Sequence, residues 1–382
     1  MTQRQRSARR PFHTLVLLAL LGGCSHGEPF TAPDGSVDGP LVPGIPSRLT
    51  YSDAGATGPI WTPDGGSIVY SYVRYGGGFL VDDERCLGVL PAGGGTIGRE
   101  ICSRSVFATQ SADAFDLPAL SETGRLAFHH RGQPAVPTTA GDAILAATLD
   151  DPSTYTVVRS FPFQGDAFYI RPASLRWLGD SRLAFVGMAQ EQIPPPCPEC
   201  PPLLVEYAHQ VLVADPAVPA VATAVPGTLY ATSVSGGESA DVIYFTLATD
   251  SRVFRLELGS GAVTTAHDFG PGVIARDVHF AAGRVVAVIE GRVLLHAGET
   301  RTVQGLDFGG RLHVAVPGTG AVAPVPAPPL MWFARPALSP DGSSVVAEGV
   351  PLRVDTLIAG GNIVAIDTTP IGTPSVWRLA AP

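Results

Sequence analysis

The feature that most constrains the fold is an internal repeat. The run Arg125-Leu126-Ala127-Phe128 recurs unchanged as Arg182-Leu183-Ala184-Phe185, with a period of 57 residues. Self-similarity at such a period is the signature of architectures built from similar stacked units. One apolar position recurs on this register at intervals of 58, 57, 59, 43 and 60 residues. Its six occurrences are Ile68, Leu126, Leu183, Val242, Val285 and Val345.

Each repeat unit opens with a short strand and a tight turn. The clearest examples are PIWTPDG from Pro59 to Gly65 and PALSPDG from Pro336 to Gly342, whereas the fourth unit, near Thr232, is degenerate. Gly tolerates positive φ and the Asp side chain bonds the backbone ahead of it, so these residues favour a hairpin turn. Two further strands complete each unit, such as residues 143–149 with 156–160, which gives four strands per unit.

The composition excludes a helical architecture. The chain contains 44 Gly, 36 Pro and only 15% charged residues. Short β-branched and aromatic runs alternate with Gly, Pro, Asp and Ser, a pattern typical of strands joined by turns. The sequence therefore predicts an all-β fold.

The pattern Pro-x-x-Ser/Thr-Pro-Asp-Gly followed by an apolar strand resembles the WD-like repeat of TolB-type β-propellers. The resemblance spans roughly residues 59–379 and implies a six-bladed β-propeller of four-stranded antiparallel blades, occupying residues 48–382. Radial stacking of blades buries both faces of each sheet and leaves only short edges. Either residues 375–379 or 48–51 supply the last outer strand. An array of β-sandwiches is the alternative fold, and it would not need this period.

The N-terminal segment is predicted to be an export signal. Four arginines precede an uncharged apolar run from Thr14 to Leu21, which is too short to span a bilayer. The run ends in Leu-Gly-Gly-Cys, which resembles the bacterial lipobox. We therefore expect residues 1–23 to be a lipoprotein signal peptide and Cys24 to be the lipidated N-terminus. An ordinary signal peptide is the alternative, and the pair Arg9-Arg10 leaves twin-arginine export open beside the general secretory route, which we favour.

Residues 24–47 have the composition of a flexible tether, rich in Pro, Gly, Ser and Asp. Ser25 follows Cys24 where an aspartate would favour retention in the inner membrane, so the predicted location is the outer membrane of the cell envelope.

The signal carries four of the 25 basic residues and none of the 34 acidic ones, so the mature net charge is about −13. Such a surface repels phosphate backbones, which argues against nucleic-acid binding.

Four further cysteines predict disulfides in an exported chain. Cys86 and Cys102 flank Gly94 symmetrically, so a hairpin turning there would place them opposite each other. Cys197 and Cys200 lie in a proline-rich run, where we expect a short-range disulfide rather than a redox or metal site, because the flanking prolines forbid the helix of a thioredoxin motif.

A small set of polar residues forms the candidate ligand-facing site. His129-His130-Arg131 ends the second strand of unit two, and adjacent strand residues point to opposite faces, so at most one imidazole can face a given site. Arg74 and Asp82 lie in the corresponding part of unit one. The sequence contains no phosphate loop, zinc-protease motif, calcium loop or nucleophile elbow, and it predicts no cofactor or metal.

The functional prediction is a lipid-anchored, non-catalytic propeller, acting as a monomer, that binds a protein, peptide or glycan partner in the envelope. The resemblance supports binding, because TolB-like propellers are protein-binding parts of envelope complexes. The alternative is a propeller enzyme of glycan lyase or hydrolase type with its site at the channel mouth. A set of histidines or carboxylates on neighbouring inner strands would discriminate between the two.

Overall fold

The computed structural model of the protein describes most of the chain between residues 45 and 382. The described ranges are 45–51, 55–74, 84–107, 114–131, 142–161, 169–193, 203–206, 209–218, 221–291, 310–328, 331–359, 362–370 and 372–382. The signal peptide, Cys24, most of the tether, Asp82, Cys197 and Cys200 lie outside these ranges. No helix in the described ranges is long and apolar enough to cross a membrane.

The chain enters the fold at β1 (Ser47–Arg48), and units one and two then form a single eight-stranded sheet. This sheet consists of two antiparallel meanders joined by one parallel pairing, Arg85 with Ala114. The first meander contains β2 (Ala56–Trp61), β3 (Ser67–Arg74), β4 (Glu84–Pro91) and β5 (Arg99–Ile101), followed by the short helix α1 (Ser103–Phe107). The second contains β6 (Ala114–Leu120), β7 (Arg125–Arg131), β8 (Asp142–Thr148) and β9 (Thr156–Phe161).

The remaining units form one antiparallel sheet each. Unit three contains β10 (Tyr169–Leu178), β11 (Arg182–Ile193), β12 (Leu203–Glu206), β13 (Gln210–Ala214) and β14 (Ala222–Ala224). Unit four contains β15 (Ala231–Gly236), β16 (Val242–Leu247), β17 (Arg252–Glu257) and β18 (Ala262–Asp268). Unit five contains β19 (Val273–Ala281), β20 (Arg284–Gly291), β21 (Arg311–Ala315) and β22 (Val322–Pro324). Unit six contains β23 (Met331–Leu338), β24 (Ser344–Ala359), β25 (Asn362–Pro370) and β26 (Ser375–Ala380).

The first strands of the units contact one another in a closed cycle, in the order β2, β6, β10, β15, β19, β23 and back to β2. β1 closes the ring by pairing antiparallel with β26, so the N-terminal strand is the outermost strand of the last sheet. The two segments considered for closure are thus both used, β26 as the third strand and β1 as the fourth. The structure confirms an all-β propeller with four-stranded antiparallel blades.

The hydrophobic core lies between neighbouring sheets. Trp61 and Ile68 of unit one pack with Val346 and Val376 of unit six, for example. The recurring apolar position is correct in five units, where it is the second residue of the second strand. In unit four the pairing Gly236 with Ile243 makes Ile243 the equivalent residue, so the prediction of Val242 is wrong by one position. The degenerate turn before β16 concealed this shift.

The turns between first and second strands form one end of the ring, which we call the turn end (residues 62–66, 121–124, 179–181, 237–241, 282–283 and 339–343). Asp64 accepts a hydrogen bond from the Gly66 N–H at 2.9 Å, and Asp341 accepts one from the Ser343 N–H at 2.9 Å. The Ser339 hydroxyl and the Ser343 N–H lower the pKa of Asp341 to about 2. The predicted aspartate-to-backbone bond of the motif is therefore present.

The arginine of the repeated Arg-Leu-Ala-Phe run ties units two and three each to the unit that follows, at the turn end. Arg125 donates to the Asp180 carbonyl and its guanidinium lies 4.5 Å from the centre of the Trp177 ring. Arg182 donates to the Ala240 carbonyl and to the Asp241 carboxylate, each at 2.7 Å. The repeat thus carries contacts between units as well as the strands within them.

Candidate functional site

All six first strands contain an irregularity in their pairing, close to the other end of the ring, which we call the mouth end. A bulge bends a strand and re-aims its side chains. In four of these strands the bulge begins with a residue of positive φ: Gly58, Leu117, Asp277 and Arg335. Positive φ at non-Gly residues is strained and concentrates at functional sites. We therefore place the candidate site on the axis of the ring at this level.

Two cavities that share lining residues occupy this region. The narrow one, the neck, has a volume of about 20 Å³ and is lined by residues from all six first strands. The wider one, the bowl, has a volume of about 390 Å³ and shares Leu117, Ala173 and Arg335 with the neck. The rest of the bowl is lined by Thr57, Arg85, Asp116, His129, Arg131 and Pro172. The bowl is the opening of the channel at the mouth end.

Asp116 is the centre of the charges on one side of the bowl. It accepts an ionic hydrogen bond from Arg131 at 2.8 Å and lies 3.5 Å from the Nε of Arg85. The Ser71 hydroxyl donates to the backbone carbonyl of Phe115 at 2.7 Å and lies 3.3 Å from Asp116. The carboxylate therefore holds two guanidinium groups at the surface of the bowl.

The predicted ligand-facing residues separate into two groups. His129 is buried and lines the bowl together with Arg131. His130 points to the other face of β7, is fully buried, and packs 4.9 Å from the ring of Phe107, so it belongs to the core. Arg74 is not among the residues that line the bowl, and it pairs with Glu100 at 3.6 Å. Of the two neighbouring histidines, only His129 faces the bowl, as expected for adjacent residues of a strand. His130 and Arg74 make structural contacts away from the bowl.

A second set of charges lies where the bowl meets the neck. Arg335 donates to Glu348 at 3.2 Å, and the Arg335 N–H donates to the Asp277 carboxylate at 3.0 Å. Glu348 is buried, and burial raises its pKa, while the positive charge of Arg335 opposes that change. Asp277 and Arg335 thus link two first strands across the neck.

Arg176 projects into the neck without an acidic partner in contact. Its Nη1 donates to the carbonyl of Leu175 at 2.7 Å, while its Nε is buried and has no hydrogen-bond partner among the described residues. Burial lowers the pKa of Arg176 to about 10, the negative charge of Asp277 opposes this, and the positive charge of Arg335 adds to it. Arg176 therefore keeps its charge at neutral pH.

His279 lies next to Arg176 and has a structural contact. Its Nδ1 accepts a hydrogen bond from the Leu338 N–H of the next unit at 3.2 Å. Burial, with the nearby charge of Arg176, lowers its pKa to about 3. Ser233 likewise accepts from the Val278 N–H at 2.9 Å. Side chains of one first strand thus satisfy backbone donors of the next, as buried backbone groups require.

The predicted bond between Cys86 and Cys102 is present. Glu84 lies close enough to both sulfurs to form, with them, the one group of potential metal ligands found among the described residues. The sulfurs are consumed by the disulfide, and Glu84 accepts a hydrogen bond from the Ser103 N–H at 2.6 Å. This cluster therefore fastens β4 to the end of β5.

The sequence motifs do not single out most of the charged residues in and around the bowl and the neck: Arg85, Asp116, Arg176, Asp277, Arg335 and Glu348. A signal for some of them existed. The repeat motif begins at Pro59, Pro118 and Pro336, and the residue before each proline is a bulge residue that lines the neck. Those preceding positions hold Gly58, Leu117 and Arg335, so they differ from unit to unit while the motif after them is kept.

Comparison with models of protein families gives no match, and comparison with the sequences of curated proteins gives none either.

Among solved structures, the fold is similar to TolB from Acinetobacter baumannii, with 13% identity and a TM-score of 0.44 over 88% of this chain and 65% of that one. The present chain thus aligns with less than two thirds of TolB. An oligogalacturonate lyase from Vibrio parahaemolyticus gives 11% identity and a TM-score of 0.48 over 93% of this chain and 96% of that one. The WD40 repeats of RRP9 give 12% identity and a TM-score of 0.49 over 90% of this chain and 100% of that one. These neighbours are β-propellers, and similarity at this level concerns architecture alone.

Proposed function

We propose that the protein is a non-catalytic, lipid-anchored propeller of six blades that binds a protein or peptide partner in the bacterial cell envelope through the bowl. The count of six rests on dividing the eight-stranded sheet at its single parallel pairing. The observation that carries the binding function is the bowl itself, a concave site on the ring axis where charged side chains converge.

Binding is favoured over catalysis by the pairing of the acidic groups. Asp116 is held by Arg85 and Arg131, and Glu348 by Arg335. General acid–base catalysis needs a group free to exchange protons with substrate. A carboxylate fixed between guanidinium groups is suited instead to holding those arginines in place for a ligand.

The described lining of the bowl favours a peptide over a glycan. Sugar rings usually pack on aromatic faces, and the described residues of the bowl include no Trp, Tyr or Phe. They include Leu117, Pro172 and Ala173, which suit an aliphatic peptide segment. A glycan partner, or a glycan lyase or hydrolase activity at the mouth, is the competing function, which turnover of acidic or neutral oligosaccharides would reveal.

A photo-crosslinking amino acid at Ala173 in intact cells tests the binding function, because Ala173 is exposed and lines the bowl. We expect one discrete protein adduct, and a matched variant at Val263, exposed on the outer strand β18, should not give it. No adduct from Ala173, or the same adducts from both positions, would contradict the proposal.

The anchor is tested separately. We propose Cys24 as the lipidated residue, and Cys24→Ala should abolish labelling by a fatty-acid analogue and release the chain from the membrane. Persistent label on that variant would end the lipoprotein assignment. Separation of inner and outer membranes would then test the proposed outer-membrane location.

A further inference from the structure

We infer that the neck is a carboxylate-binding site, and that its occupant is the C-terminal carboxylate of a partner protein. The inference rests on the proposed binding function and specifies the ligand group. It starts from an imbalance of charge: three of the arginines at the mouth end have a carboxylate within 4.0 Å, whereas Arg176 has none among the described residues. The three pairs are Arg85 with Asp116, Arg131 with Asp116, and Arg335 with Glu348.

Among the described residues, the guanidinium of Arg176 donates to the backbone carbonyl of Leu175 but has no carboxylate in contact, which is costly in a narrow cavity. Burying a charge without a partner is strongly unfavourable, and replacing it by an apolar side chain of similar size often stabilises a protein. Arg176 still carries its charge at neutral pH, and its Nε is buried without a partner among the described residues. A residue that weakens the unliganded fold in this way is typical of a functional site.

The geometry selects the chemistry of the ligand. A neck of about 20 Å³ accommodates one or two groups the size of a water molecule, which suits a planar carboxylate. Guanidinium groups bind carboxylates through paired N–H donors. Asp277 and Glu348 lie nearby, so a doubly charged phosphate would meet more repulsion than a single carboxylate.

The connection between the cavities favours a chain end. The neck and the bowl are adjacent, since both are lined by Leu117, Ala173 and Arg335. A peptide terminus can enter such a narrow space, since no chain continues beyond its carboxylate. Its preceding residues would then lie in the bowl against Leu117 and Pro172.

The test uses the mature soluble chain and two short peptides, N-acetyl-Ala-Ala with a free carboxylate and the same peptide as a carboxamide. Isothermal titration and shifts in Tm report binding. We expect the acid to bind at least tenfold more tightly than the amide, and Arg176→Met to remove that difference. Equal binding of acid and amide, or unchanged binding by Arg176→Met, would overturn the inference.

The unliganded variants give a second readout. Arg176→Met should raise Tm by about 1–3 °C while abolishing binding. Arg255→Met is the matched control, since Arg255 pairs with Glu238 and Glu257 away from the mouth, and it should leave binding unchanged without raising Tm. A lower Tm for Arg176→Met would identify a structural arginine and refute the site. If that variant does not fold, Arg176→Lys should weaken binding of the acid at least threefold, and wild-type affinity in it would also refute the site.

Three competitors separate the sources of the anion. Inorganic phosphate or D-glucuronate binding more tightly than the acid peptide would reject a protein C-terminus, and acetate binding as tightly as the peptide would do the same.

Failure of the inference remains distinguishable from failure of the proposed function. A partner cross-linked equally by wild type and Arg176→Met would leave the bowl as a binding surface and refute the neck, whereas acid-peptide binding without any cellular adduct would refute the function.

Discussion

The two ends of the ring are built by different rules. At the turn end, similar residues recur from unit to unit, with Asp64 and Asp341 capping their turns and Arg125 and Arg182 bonding the following unit. At the mouth end, equivalent bulges hold Gly58, Leu117, Asp277 and Arg335. Repetition thus marks the surfaces that hold the ring together, and its absence marks the surface where each unit contributes different chemistry.

The largest expected effect comes from breaking the ring, on which both ends depend. Ending the mature chain after Val316 removes β22–β26 and separates β2 from its neighbour β23. Because units in a propeller bury their faces only against each other, this chain should be insoluble or lack a cooperative unfolding transition. Deleting residues 24–44 should leave that transition intact and serves as the control. A stably folded fragment ending at Val316 would mean an open array, and the proposals on the bowl and neck would fall with it.

The second largest expected effect on stability comes from removing the disulfide near the mouth end. β5 is short and α1 follows it, and the disulfide between Cys86 and Cys102 ties this irregular segment to β4. Replacing both cysteines by alanine should lower the free energy of unfolding by about 3 kcal/mol in the chain-entropy model. Urea unfolding measures the change, and reduction should destabilise the wild type by a similar amount. Free thiols in the native protein, or a bond from Cys86 to Cys197, would contradict this pairing.

The contrast between the ends also explains what the sequence could predict. The turn motif, the four strands per unit and the segments that close the ring could be read from self-similarity, since the same local chemistry recurs at a fixed spacing. The pairing of Cys86 with Cys102 followed from one hairpin centred on Gly94. These features depend on residues close together in the chain or on repetition.

The neck could not be predicted in the same way. Arg176, Asp277 and Arg335 belong to three different units, and apart from the motif proline that follows Arg335, nothing in their local sequence signals that their side chains converge. The irregular pairing of the first strands decides that convergence, and only three of the six irregularities are marked by the proline of the repeat motif. The sequence predicts His130 and Arg74 to face a ligand because they lie near the ends of strands, but in the structure His130 packs against Phe107 and Arg74 pairs with Glu100.

The third prediction concerns the loss of folding stability at acidic pH that arises from His279 in the ring. His279 is neutral in the fold because burial and the charge of Arg176 lower its pKa to about 3, from the ordinary histidine pKa of about 6.5. The unfolded chain therefore binds a proton below pH 6.5 that the folded chain does not, so stability is lost as the pH falls from 6.5 towards 3. At pH 5 the loss from this group is about 2 kcal/mol.

His279→Asn separates this effect from other acid-sensitive groups. Asparagine retains an acceptor for the Leu338 N–H but does not titrate, so the slope of unfolding free energy against pH between 5 and 6.5 should decrease in the variant. Parallel slopes for both proteins would show that His279 is not buried in its neutral form. The same measurement on Asp341→Asn, at the turn end, should leave the slope in this pH range unchanged. Hydrogen bonds from Ser339 and Ser343 lower the pKa of Asp341 to about 2, so the stability that it contributes is lost only below about pH 4.

The smallest expected change in the free energy of unfolding comes from arginines, and its sign should differ between the two ends of the ring. Arg182 bonds the Ala240 carbonyl and the Asp241 carboxylate of unit four, and its side chain is 31% exposed. Arg182→Gln should therefore lower the free energy of unfolding by about 1 kcal/mol, since hydrogen bonds from a charged group are lost but solvent screens the ion pair. Arg252→Gln is the control, because Arg252 pairs with Asp250 within its own unit at the solvent-exposed surface, so its loss should lower the free energy of unfolding less than the loss of Arg182. If arginines at the turn end hold units together and Arg176 awaits a ligand, Arg182→Gln destabilises the protein while Arg176→Met stabilises it. Changes of the same sign in urea unfolding would remove the distinction between the two ends.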